Sequence, residues 1–136
     1  MCLYSDRKNF KKAKEDIICY KVLKVKRTFF GYTFYATPYM NKPVPELGVE
    51  MKDDECLDAK KYPNISSKYM ISAGGFHTFK NFDDAKDELK WHLDNCGKEY
   101  IIVKSIIPKG SSYIEGTFEN TPAYVSKRII YQEILK

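Results

Sequence analysis

Three observations predict an α+β domain in which an antiparallel or mixed sheet packs on one main helix at about residues 82–96. Most of the chain reads as short β segments divided by turn chemistry. A single stretch carries a helical apolar stripe with capping signals at both ends. Hydrophobic residues make up 43% of the 136 residues, enough to bury one core without disulfides. The whole chain, 1–136, is therefore expected to be a single domain, with residues 1–15 a basic leader and 53–67 a mobile loop.

Residues 16–27 place apolar side chains on both alternate faces (Ile17, Cys19, Leu23, Val25 and Ile18, Tyr20, Val22), as in a strand covered on both sides. Residues 28–36, dense in aromatics, predict a second strand bent or bulged at Gly31. Pro38, Pro43 and Pro45 mark a loop. Acids gather at 50–58, and Pro63 to Ser67 add turn chemistry. Residues 69–71 and 76–79 read as short strands around the Gly74-Gly75 turn.

The helix is signalled locally. Asn81 is a candidate N-cap, Asp83 and Asp84 place negative charge in the first turn, and Gly97 lies just past the end. Its apolar stripe is Phe82, Ala85, Leu89, Leu93 and Cys96. At about 100° per residue, Trp91 falls opposite that stripe and is expected to face solvent or a partner. His92 falls on the border and is expected to be half covered. Residues 99–108 then read as a strongly apolar strand, 113–118 as another, and 123–135 as a last β-rich segment.

Charge divides the chain unevenly. Ten Lys/Arg and four Asp/Glu precede position 49, whereas 13 and 14 follow, so the net +5 arises entirely in the first third. Such a distribution favours a local anion site over a wholly basic surface for extended nucleic acid. The cysteines at 2, 19, 56 and 96 have no paired short spacing, so no metal site is expected. The first fifteen residues are basic and polar where a secretory signal needs an apolar core, which leads to the expectation of a cytoplasmic protein with reduced thiols and no membrane segment.

Three constellations could support recognition. In Gly74-Gly75-Phe76-His77-Thr78, a histidine stands beside a glycine pair whose backbone can approach a ligand, but no nucleophile or orienting acid lies nearby in sequence. In Pro108-Lys109-Gly110-Ser111-Ser112, successive N–H groups and a lysine could cradle an anion; the same residues also make an ordinary turn. The third is aromatic and basic: Lys24, Lys26, Arg27, Phe29, Phe30, Tyr32, Phe34, Tyr35, Tyr39 and, separately, Trp91. Such interleaving suits a nucleobase with its phosphates, or a protein interface, while aromatics alternating on a strand also suit a core. The candidate ligand-binding residues are thus Arg27, Phe76, His77, Thr78, Lys109, Gly110 and Ser111, with Trp91 at a partner interface. No catalytic set, cofactor or metal is assigned.

Met1-Cys2-Leu3-Tyr4, the Glu15-Asp16-Ile17-Ile18-Cys19-Tyr20-Lys21-Val22 stretch, Gly75-Phe76-His77-Thr78-Phe79 and Ile107-Pro108-Lys109-Gly110-Ser111-Ser112-Tyr113-Ile114-Glu115-Gly116 together resemble a family of small uncharacterised proteins found in bacterial genomes, prophages and phages. Tyr124-Val125-Ser126 is similar too. The resemblance implies a context of mobile elements, where small proteins act by binding host factors, defence proteins among them. It implies no activity. The 107–116 segment is also similar to the closing strands of ADP-ribosyltransferase-like proteins, in which an Ile-Pro-Lys-Gly stretch precedes a catalytic glutamate. That likeness implies a small nucleotide-acting enzyme with Glu115 or Glu133 as the candidate. The early-strand Arg or His and the Ser-Thr-Ser element of those proteins have no counterpart here, Arg27-Thr28 being the nearest. The expected partner is a host protein or a small anionic nucleotide, and the protein is expected to be non-enzymatic and to form a homo-oligomer.

Overall fold

The computed structural model describes residues 3–6, 9–38, 43–44, 46–53, 60–61, 69–71, 74–96 and 99–135. Its elements in chain order are β1 (Leu3–Ser5), β2 (Lys11–Lys12), β3 (Ile17–Arg27), β4 (Thr33–Ala36), β5 (Pro43–Val44), β6 (Glu50–Lys52), β7 (Lys60–Lys61), β8 (Tyr69–Ile71), β9 (Phe76–Phe79), α1 (Phe82–Cys96), β10 (Tyr100–Ile107), β11 (Ser112–Phe118), β12 (Thr121–Ser126) and β13 (Arg128–Ile134). One sheet runs β6-β13-β10-β3-β9-β12-β11-β1-β8-β7, with β4 and β5 continuing from β3 and β2 lying on β11. Every strand pairing among the described residues is antiparallel. The fold is thus sheet-dominated, with one helix packed on it.

The central strand is β3. It pairs with β10 from Ile17↔Ile107 to Lys24↔Tyr100 and with β9 at Tyr20↔Phe79. Alternation sends Cys19 and Leu23 to a core shared with Val103, Ile107, Tyr124, Ile129 and Tyr131. Val22, on the opposite face, packs with Ile102, Phe79, Tyr100 and the helix residues Ala85 and Leu89. The two-sided apolar pattern of residues 16–27 therefore corresponds to burial on both faces only in the middle of the strand, at residues 19–23, whereas Ile18 is 51% exposed. Because residues of β3, β10, β12 and β13 meet in one core with Ala13 and Val44, the sheet curls around that core instead of lying flat.

Several sequence expectations need adjustment. Within residues 1–15, where a basic leader is expected, Leu3 and Ala13 are buried, and β1 and β2 pair with β11. Residues 28–36 are not one bent strand: residues 28–32 form a hairpin turn, and only Thr33–Ala36 pair back on β3. The short strands β8 and β9 do not pair with each other; β8 joins β1 and β7, and β9 joins β3 and β12. The last β-rich segment is two strands broken at Lys127, the first forming a hairpin with β11 through Glu119 and Asn120, both at positive φ (49° and 65°). Of the expected mobile loop at 53–67, only Asp53 and β7 lie among the described residues.

Helix α1 has the predicted bounds, but its buried line differs. Ala85, Leu89 and His92 are buried, whereas Leu93 and Cys96 are exposed. At about 100° per residue, the sheet covers a line through 85, 89 and 92, which leaves Leu93 some 80° off Ala85, on its margin. Cys96 lies on that line but at the last helical position. His92, expected to be half covered, is 2% exposed. No helix among the described residues is long and apolar enough to cross a membrane.

One close approach is specific to a glycine. Gly116 of β11 lies against β1, where a Cβ would collide with the Tyr4 carbonyl oxygen and come close to its carbonyl carbon and the Leu3 side chain. Gly116→Ala is expected to lower unfolding free energy by about 2 kcal/mol or more through separation of β1 from β11. Urea unfolding measures this, and an unchanged midpoint would show that β1 yields freely.

Candidate functional site

The β3–β4 hairpin ends in a short closed turn. Thr28 N–H donates to Tyr32 O at 2.7 Å, Gly31 N–H to Thr28 O at 3.0 Å, and Tyr32 N–H to Thr28 Oγ1 at 3.1 Å. Gly31 supplies the left-handed residue, φ 85°, that closes a three-residue hairpin loop. The two positions before it, normally given to polar turn formers, are both phenylalanine. Phe29 is 99% exposed and Phe30 84%, and their rings meet edge to face with centroids 5.7 Å apart. Tyr32 and Phe34 are exposed as well, while Tyr35 packs on the core. A core role for Phe29, Phe30 and Tyr32 is thereby corrected, because alternation along a strand cannot bury residues that project beyond the sheet; Phe34, within β4, is 37% exposed on a face that no described residue covers fully. At the base, Arg27 pairs with Glu99 at 2.7 Å and donates to Thr33 Oγ1 at 3.4 Å.

The other predicted residues are engaged within the fold. His77 Nε2 donates to Gly74 O at 3.2 Å, and Gly75 N–H donates to Asp53 Oδ2 at 2.6 Å. Thr78 is fully buried beside the Cys19 thiol, and Phe76 packs on the core. In the 108–111 turn, Lys109 N–H donates to Asp16 Oδ1, Gly110 N–H to Ala13 O and Ser111 N–H to Pro108 O, at 2.8, 2.8 and 3.0 Å. The donors of the expected anion cradle are therefore already taken, one of them by a carboxylate. Register sets Phe76, Ser126 and Tyr113 side by side across three strands, so the glycine-pair segment and the start of β11 share one end of that part of the sheet. Arg27 stands apart at the hairpin base. Trp91 is 52% exposed, as its helical phase predicts, with its ring edge-on to His92. Glu115 pairs with Lys80 at 3.0 Å and Glu133 with Lys104 at 3.8 Å, both partly in solvent.

A buried lysine in β3 and a Glu88-His92-Cys96 line along α1 were unforeseen in the sequence. Lys21 of β3 is buried and donates from Nζ to His77 O at 2.8 Å. Burial lowers its pKa from 10.5 to about 8, while Glu88 and Cys19 pull it partly back. Glu88 accepts from His92 Nε2 at 3.0 Å, and Cys96 Sγ is 4.0 Å from His92 Nδ1. Tyr100 stacks on the His92 ring at 4.7 Å and 19°. The clue available in sequence was spacing: 88, 92 and 96 fall on one helical face. Burial also pushes the Cys19 thiol up to about 12, so Cys19 is an inert core thiol. Among the described residues, no three His, Cys, Asp or Glu side chains converge as metal ligands.

Comparison with known proteins finds no matching family model, no similar curated protein and no similar solved structure.

The Lys21 environment makes stability depend on pH. Between about pH 8 and 10.5 the unfolded chain holds a proton on Lys21 that the folded chain does not, so folding gains stability as pH rises through 8. Above about 9, Cys19 acts in the opposite sense, because the unfolded thiol ionises first. From pH 8 to 9, wild type should therefore gain about 1 kcal/mol relative to Lys21→Met. Parallel urea titrations of the two proteins measure the difference; parallel curves across this range would contradict it.

Proposed function

We propose that the protein is a non-enzymatic binding protein that engages a protein partner by inserting Phe29 and Phe30, at the tip of the β3–β4 hairpin, into an apolar pocket of that partner. The observation that carries this reading is a pair of almost fully exposed phenyl rings on a turn closed by three hydrogen bonds. Exposing them does nothing for the fold, and a tied turn presents them with little ordering cost on association. Two such rings match the aromatic anchors that dominate protein interfaces.

The arrangement suits nucleic acid or lipid less well. Edge-to-face rings offer no pair of parallel surfaces on which successive bases would stack. The nearest guanidinium, Arg27, is engaged by Glu99 in a solvent-exposed ion pair, so a phosphate or anionic headgroup would have to displace that carboxylate. The resemblance to proteins of phages and prophages makes a host protein the expected partner, and Trp91 offers a second exposed aromatic on another face.

The test is photo-crosslinking in host cells with p-benzoylphenylalanine at position 30, against the exposed control position 132. A discrete protein adduct specific to position 30 is expected, lost in a Phe29→Ser/Phe30→Ser background whose stability stays within about 0.5 kcal/mol of wild type. Equal labelling at both positions, or adducts on lipid or nucleic acid alone, would overturn the proposal.

A further inference from the structure

Glu88, His92 and Cys96 lie at i, i+4 and i+8 of α1, so they stack along one line of the helix. Glu88 Oε1 is 3.0 Å from His92 Nε2, and a carboxylate there accepts. Nε2 therefore carries the imidazole proton, and Nδ1 turns a lone pair toward Cys96 Sγ, 4.0 Å away. The ring cannot easily leave this position. It is 2% exposed, stacked on Tyr100 and edged by Trp91. Cys96 is a free cysteine at an exposed position, while its base is covered.

Satisfying a buried histidine accounts for Glu88 alone. It does not account for a thiol set on the opposite nitrogen. An acid, an imidazole and a thiol in that sequence form the arrangement by which a nucleophilic cysteine is activated. The other ionisable groups that act on the relay are Lys21 of β3, whose charge interacts with that of Glu88, and Tyr100 of β10, whose hydroxyl lies beside Cys96. Cys96 ends its helix, where the dipole opposes a thiolate. A thiolate there depends on the proton being held by His92.

We propose that Cys96 is a nucleophilic thiol, activated by His92 and oriented through Glu88, and that it is the site of covalent modification of this protein by soft carbon electrophiles. The thiol proton moves from Sγ to His92 Nδ1. The sulfur electron pair forms the S–C bond as the leaving group departs with the electrons of its own bond to carbon. The imidazolium then returns its proton to water. The sulfur undergoes substitution only, with no change that requires an oxidant.

Iodoacetamide is the probe, with iodide as leaving group and the modified peptide quantified by mass spectrometry from pH 5 to 10. Native Cys96 should react at pH 6.5 about 10-fold faster than the same cysteine in urea, while Cys19 stays unlabelled until the chain unfolds. His92→Gln should remove the low-pH reactivity, and Glu88→Gln should reduce it several-fold. Cys96→Ser should abolish the rapid adduct. Equal native and urea rates at pH 6.5 would overturn the proposal without need of any variant. So would a folded Glu88→Gln protein with the wild-type pH profile.

Discussion

The register between β3 and β10 holds for eight consecutive residue pairs, and in the middle of that span Cys19, Lys21 and Leu23 on one face of β3 and Val22 on the other are buried. A strand in that position leaves few backbone groups to water, and a one-residue slip would exchange its two buried faces. Both candidate sites depend on it. Past Lys24, β3 leaves β10 and runs out as one arm of the aromatic hairpin, so the tip is anchored on the most deeply held strand of the fold. At Lys21, the same strand brings a buried ammonium to the carbonyl of His77, where the Glu88 charge still acts on it.

Burying that lysine is unfavourable, as its depressed pKa shows, yet the cation opposes a carboxylate that also serves His92. The helix is thus fixed on the sheet by two unlike sets of contacts. Ala85 and Leu89 pack on Val22, Phe79 and Ile102, while His92, hydrogen-bonded to Glu88 within the helix, stacks on Tyr100 of β10. Polar groups buried together in this way set orientation and register more strictly than apolar packing alone. Here they also fix the phase at which the helix presents Trp91 to solvent and Cys96 at its open end.

What was legible in the sequence was mostly local. The bounds of α1 follow from Asn81, the acids of its first turn and the apolar period, and the double-faced burial at the middle of β3 follows from apolar residues on both alternate faces there. The burial of His92 was not legible, because the partners that make it affordable, Glu88 and Tyr100, act across space. The hairpin tip was misplaced for a related reason. Gly31 marks a special backbone conformation, but Phe29 and Phe30 lack the polar character of turn residues, so the segment read as strand. In the 108–111 turn the sequence showed donors without the acceptors, Asp16 and Ala13, that occupy them.

The central claim is that the apex of the β3–β4 hairpin is an ordered, exposed recognition element and not a loose loop. Backbone ¹⁵N relaxation of residues 28–32 tests it most directly. The three hydrogen bonds within the turn predict order parameters close to those of β3, about 0.85, for the amides of Gly31 and Tyr32. Values below about 0.6 at these two amides, with β3 itself rigid, would contradict the account.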